Sequence, residues 1–183
     1  MTDRKLALRA VQDAILPDNL SVREEGGNNR GKAVETYLAS VGIHEPAAWC
    51  AAFIRYRFER ASAETGIALP AGMPDSGYTP DWANWAQKTG LWVPANRVVT
   101  QKWKPRAGDL SLFYFASMGR IAHIGIVTEP WFENGVCIGA KTVEGNTGPD
   151  SGSAVARLGD GVYQKKRRTG QLGLRGGFVR IEN

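Results

Sequence analysis

Pro46-Ala47-Ala48-Trp49-Cys50-Ala51-Ala52-Phe53 opens an amphipathic stretch that runs on to about Ala63. Proline is tolerated at the first helical position, so Pro46 reads as a helix start. Trp49, Phe53, Tyr56 and Arg60 then follow at spacings of three and four, along one ridge. Cys50 falls in the first turn. A thiol there sits near unpaired backbone N–H groups and the positive end of the helix dipole, which favour thiolate over thiol. Its own N–H points out of the helix start, where it can stabilise an oxyanion. The plainer reading of Cys50 is a small buried hydrophobe, and the residue alone does not separate the two.

Upstream, Arg4 to Leu16 places Leu6, Leu8, Val11, Ile15 and Leu16 at mostly helical spacing, and Pro17 ends the run. Glu24-Glu25-Gly26-Gly27-Asn28-Asn29-Arg30-Gly31 is a turn-rich loop, and Lys32 to Val41 reads as a second helix capped by Gly42. Downstream, Thr65 to Gly77 is a Gly/Pro-rich loop. Thr79-Pro80-Asp81 then starts a helix carrying Trp82 and Trp85 and ending at Gly90, with Thr79 as its N-cap. After Pro105 the period changes. Leu110–Phe115, Ile121–Thr128, Val136–Glu144 and Phe178–Ile181 read as strands. Helices first and antiparallel strands after is an α+β order, with N-terminal helices packed on a short antiparallel sheet. Residues 1–183 read as a single domain, with a core over roughly 20–182 and an N-terminal helix over 4–16.

His123 lies within Ile121-Ala122-His123-Ile124-Gly125-Ile126-Val127. A lone polar residue in an apolar strand needs partners for its ring nitrogens. His123, Gly125 and Val127 share one face, and the glycine leaves space beside the ring. Glu144 ends the next strand, ahead of Gly145-Asn146. A carboxylate there can hold an imidazole so that its other nitrogen faces Cys50; the plainer reading is an ordinary strand-end acid. Cys137, in Val136-Cys137-Ile138, reads as core, and His44 beside Glu45 as a surface residue. The two cysteines allow one disulfide but do not make a disulfide scaffold. No local spacing of ligands supports a metal site.

The order of these pieces is specific. Pro-Ala-Ala-Trp-Cys opening a helix, Gly108-Asp109-Leu110 leading a strand, His123-Ile124-Gly125-Ile126-Val127 and Glu144-Gly145-Asn146-Thr147 together resemble the CHAP family, the cysteine- and histidine-dependent amidohydrolases/peptidases of the papain-like group. Glu24 to Gly31 followed by Val34-Glu35-Tyr37-Leu38 is similar to a branch of bacterial and phage wall hydrolases. The resemblance implies a papain-like CHAP fold with Cys50 as nucleophile, His123 as base, Glu144 as the acid that orients the ring, and Asn146 at a further polar position of the site. It implies cleavage of an amide of peptidoglycan, at the muramyl–peptide bond or within the stem peptide or cross-bridge. No cofactor or metal is carried over: only Glu24 and Glu25 stand where some relatives bind calcium. Ala47 and Ala48 separate Pro46 from Trp49, a departure from the family's pattern. Trp49, Trp82 and Trp85 are candidates to line a substrate groove, although aromatic residues at helical spacing more often pack a core.

The 183 residues carry a net charge of +5 and a pI near 9.4. Lys165-Lys166-Arg167-Arg168 is the densest basic cluster, a candidate contact for an anionic wall polymer or simply a solvated face. No nucleic-acid motif accompanies it. No run approaches the roughly 18 apolar residues of a membrane span. Arg9, Gln12 and Asp13 interrupt what would be the core of a signal peptide. The expectation is therefore a monomer made in the cytoplasm that reaches the cell wall by lysis, in a phage particle or through a secretion system. Two other classes stay open: a cytoplasmic cysteine protease or transferase acting on another amide, and a wall-binding module without turnover.

Overall fold

The computed structural model describes residues 4–149, 155 and 158–182. Among them are six α-helices: α1 (Lys5–Ala14), α2 (Pro17–Leu20), α3 (Lys32–Ala39), α4 (Cys50–Thr65), α5 (Thr79–Lys88) and α6 (Asn96–Val99). Six strands, β1 (Trp92–Pro94), β2 (Leu110–Phe115), β3 (Arg120–Glu133), β4 (Val136–Thr147), β5 (Gly161–Arg168) and β6 (Gly177–Val179), form one antiparallel sheet in the order β1-β6-β2-β3-β4-β5. The class is α+β. No helix of the described residues is long and apolar enough to cross a membrane.

Alternation along the strands sends side chains to opposite faces of the sheet. Leu110, Leu112, Ile124, Ile126 and Val143 join the main core with α1, α3, α4 and α5. Phe113, Val127, Ala140 and Phe178 face a second, smaller core closed by Val98 of α6 and by Leu172 in a 3-10 turn. Helix α1 buries Leu6, Ala7, Ala10, Val11 and Ala14, whereas Leu8, Ile15 and Leu16 stay exposed. Its inward face is thus mostly alanine, not the leucine-rich face expected, and small residues let α1 lie close against α4. Asp13 and Arg57 form a buried ion pair across that contact, at 2.8 Å.

Several boundaries differ from the sequence reading. Pro46 does not start α4; the helix begins at Cys50, and the capping position is Trp49, whose φ of −117° is not helical. Pro17 opens the short α2 instead of only ending α1. Thr79 is inside α5, where its hydroxyl donates to the Ile121 carbonyl at 2.9 Å and so ties the helix to β3. Strand β5 was hidden in a run of charges, and β1 is only three residues long and carries a proline at its end.

Candidate active site

Cys50 is the first residue of α4 and is 3% exposed. His123 stands in β3, in register with Phe113 of β2, and is fully buried. Its Nε2 lies 2.9 Å from Oε2 of Glu144 on β4. With Nε2 committed, Nδ1 is the nitrogen that remains for the Cys50 side chain, which interacts with the ring; among the described residues Nδ1 has no hydrogen-bond partner. The structure therefore brings Cys50, His123 and Glu144 together in that order, with the carboxylate bonded to Nε2 and the Cys50 side chain against the ring.

Glycine makes this arrangement possible at two places. A Cβ on Gly125 would come within 2.6 Å of Cγ of Glu144, so the space beside the His123 ring belongs to the carboxylate. A Cβ on Gly145 would meet the Trp49 ring at 2.7 Å, so only glycine lets β4 pass this close to the start of α4.

Glu144 is held from every side. Arg167 on β5 donates from Nε to Oε1 at 2.8 Å and from Nη2 to Oε2 at 2.6 Å, and the Thr142 hydroxyl donates to Oε1 at 2.7 Å. Burial alone would raise the Glu144 pKa, but the bonds from Arg167 and His123 outweigh it and lower it to about 2. Burial likewise opposes charge on His123, and the contacts with Cys50 and Glu144 outweigh it, raising the pKa to about 9. Both contacts favour the charged form of the ring, the carboxylate through its bond to Nε2 and the Cys50 side chain from the other side. Such a trio can stabilise a thiolate, donate a proton to a leaving group and recover it from water.

Arg167 is a site residue that the sequence conceals within Lys165-Lys166-Arg167-Arg168. That cluster is not one surface patch. In β5 its members alternate: Lys165 and Arg167 are 4% and 2% exposed, while Lys166 and Arg168 face solvent. Lys165 bonds the Gly148 carbonyl. Arg168 pairs with Glu133 at 2.8 Å and, with Lys166, flanks the Trp131 ring. A period-two reading of the four charges was the signal available in the sequence.

Asn146 does not touch the histidine in the way an orienting acid would. It is buried, with φ of 56°, and its Oδ1 accepts the Trp49 backbone N–H at 3.2 Å. It therefore fixes the residue preceding Cys50. Trp85 lines an open pocket with Ala71, Gly72, Asp81 and Lys88, which does not include Cys50 or His123, whereas Trp49 and Trp82 are fully buried. Each indole N–H is used internally: Trp49 to Glu24 at 2.9 Å, Trp82 to the Ser76 carbonyl and Trp85 to the Ala71 carbonyl, both at 3.0 Å. Trp82 and Trp85 pack edge to face at 6.4 Å. They build the core that carries α4 and α5. Cys50 and Cys137 are both free thiols, and Cys137 is buried in the second core.

No protein-family model, no curated protein and no solved structure matches this chain.

Proposed function

We propose that this protein is a cysteine amidohydrolase or endopeptidase of bacterial peptidoglycan, acting in the manner of the CHAP family and sharing its papain-like fold. What supports the reading most is a single relationship: a cysteine at the first position of a helix meets a histidine whose other nitrogen is bonded to a buried, arginine-held carboxylate. The family motifs Trp49-Cys50, His123-Ile124-Gly125 and Glu144-Gly145-Asn146 supply the substrate class.

The proposed reaction runs in two halves. The Cys50 thiol passes its proton to His123, and the resulting thiolate attacks the amide carbonyl carbon while the carbonyl π electrons move onto oxygen, which the N–H groups at the start of α4 face. The C–N bond then breaks as His123 gives its proton to the departing nitrogen, leaving a thioester on Cys50 and a free amine. The now neutral ring takes a proton from water, the hydroxide attacks the thioester, and the C–S bond breaks. A carboxylic acid leaves, and the sulfur–imidazolium pair is restored. Glu144 keeps the ring in register throughout and does not itself change protonation.

The substrate in this account is the muramyl–peptide amide, the stem peptide or the cross-bridge, and the place of action is the cell wall, reached by lysis, in a phage particle or through a secretion system. Mass spectrometry of the soluble fragments released from purified peptidoglycan tests it. New amino and carboxyl termini at one kind of amide are expected with the wild-type protein and not with Cys50→Ala or His123→Ala; Cys137→Ala retains release. Fragments released equally by Cys50→Ala would overturn the assignment.

A further inference from the structure

The loop from Glu24 to Gly31 has no part in the chemistry described above, yet it is wired to the residue before the nucleophile. Oε1 of Glu24 accepts the Trp49 indole N–H at 2.9 Å and the Asn146 Nδ2–H at 3.3 Å, while Oε2 accepts the Asn29 backbone N–H at 2.8 Å. Asn146 Nδ2 also faces Oδ1 of Asn29 and the Gly159 carbonyl, both at 3.1 Å, so its two hydrogens are shared among three acceptors. Asn146 Oδ1 takes the Trp49 backbone N–H at 3.2 Å. Trp49 is therefore held at two points, by its indole and by its backbone, and both bonds lead to Glu24, the second through Asn146. Asn29 and Asn146 both sit at φ of 56°, in the left-handed region that asparagine adopts more readily than other residues with side chains.

We propose that Glu24 is a positioning residue for Cys50: its carboxylate clamps Trp49 and Asn146, and through them sets where the first turn of α4 presents the thiol to His123. The role rests on the reading of Cys50 and His123 as a reactive pair and adds to it a residue outside the Cys50–His123–Glu144 trio. The carboxylate is the right group because all three of its bonds are accepted, none donated. An amide in its place sets an N–H₂ against a donor at one end and breaks that end of the clamp. Glu25, the exposed neighbour, offers the matched control.

The test compares Glu24→Gln, Trp49→Phe, the double variant and Glu25→Gln, reading both wall-fragment kinetics and the pH dependence of Cys50 alkylation by iodoacetamide. Trp49→Phe keeps an aromatic ring in the core and removes the indole donor alone, so it serves even where Glu24→Gln folds poorly. Glu24→Gln is expected to lower kcat about tenfold or more with KM within about twofold, and to steepen the alkylation curve. Trp49→Phe does the same in part, and the double variant loses less than the product of the two, as residues in one hydrogen-bond network do; Glu25→Gln matches wild type. A folded Glu24→Gln protein with wild-type kcat and alkylation curve would overturn the role, as would strict multiplicativity in the double variant. A wild-type protein that releases no wall fragments, yet whose Cys50 curve still steepens in Glu24→Gln, keeps the positioning role and sinks the wall-hydrolase reading.

Discussion

Arg167 grips Glu144 through two parallel bonds, Nε to Oε1 at 2.8 Å and Nη2 to Oε2 at 2.6 Å, and both side chains are buried. The carboxylate cannot rotate without breaking one of them, so the direction of the bond to His123 is set by β5. Phe113 closes the arrangement, lying 5.4 Å from the His123 ring and 5.5 Å from the Arg167 guanidinium.

Arg167→Lys keeps the charge but loses the planar fork. If the lost charge-assisted bond, worth about 1.5–3 kcal/mol, acts fully in the transition state, kcat falls about 10- to 100-fold. Arg167→Met leaves Glu144 buried without its cation, and an unfolding midpoint in urea should register a loss of about 3–5 kcal/mol. Steady-state rates on solubilised wall for the Lys variant and urea unfolding for the Met variant check the two halves separately. Wild-type behaviour in both would mean that Arg167 does not set the carboxylate.

The pH dependence of stability follows from the same groups. Glu144 has its pKa lowered to about 2, so its stabilising contribution is complete above its ordinary value of 4.5 and is lost as pH falls toward 2. His123 has its pKa raised to about 9, so its contribution is complete below its ordinary value of 6.5 and is lost as pH rises through 9. The stability gap between wild type and Glu144→Gln should be widest between those ordinary values and should close in acid, where the wild-type carboxyl is itself protonated. Urea midpoints at a series of pH values read this directly; a gap that stays constant down to about pH 2 would contradict it.

Much of the site was legible because its parts are short motifs with a physical reason for each residue. The helix-initial cysteine, the polar residue alone in an apolar strand and the carboxylate of the next strand were readable, although β4 runs on past Glu144 to Thr147, and Cys50, His123 and Glu144 do come together. The cation that holds Glu144 was not, because Lys165-Lys166-Arg167-Arg168 reads as charge before it reads as a strand, and charge conceals the period of two that buries Arg167. Asn146 was legible as a site neighbour but not in its role: its bond to the Trp49 N–H spans 97 residues of sequence. The tryptophans were expected at a groove, and their burial depends on partners such as the Ser76 and Ala71 carbonyls that no local pattern announces. Pro46 gave a false helix start because a proline-initiated turn and a proline-initiated helix look alike until the next residues fix their backbone.

The exposed half of the basic cluster carries its own prediction. Lys166→Ala with Arg168→Ala should weaken adsorption to anionic walls at low salt while leaving fragment release from soluble substrate near wild type. The difference should shrink as ionic strength rises, since charges are screened over about 10 Å at 0.1 M. Lys165→Ala and Arg167→Ala should instead lower stability, because those side chains are buried among bonded partners. Adsorption unaffected by the Lys166/Arg168 pair at low salt would show that these cations do not engage the wall.

The most direct test of the central claim is the rate of Cys50 alkylation by iodoacetamide against pH in the native protein, with Cys137 replaced by alanine. An isolated thiol gains about tenfold in rate per pH unit below its pKa of about 8.5. A thiol paired with an imidazolium at a helix start reacts at a nearly constant rate from about pH 5 to about pH 7, with an absolute rate raised only severalfold, because a more stable thiolate is also a weaker nucleophile. The wild-type protein should give that flat curve and His123→Ala a steeper one. A wild-type curve that climbs tenfold per pH unit, unchanged by His123→Ala, would contradict that pairing.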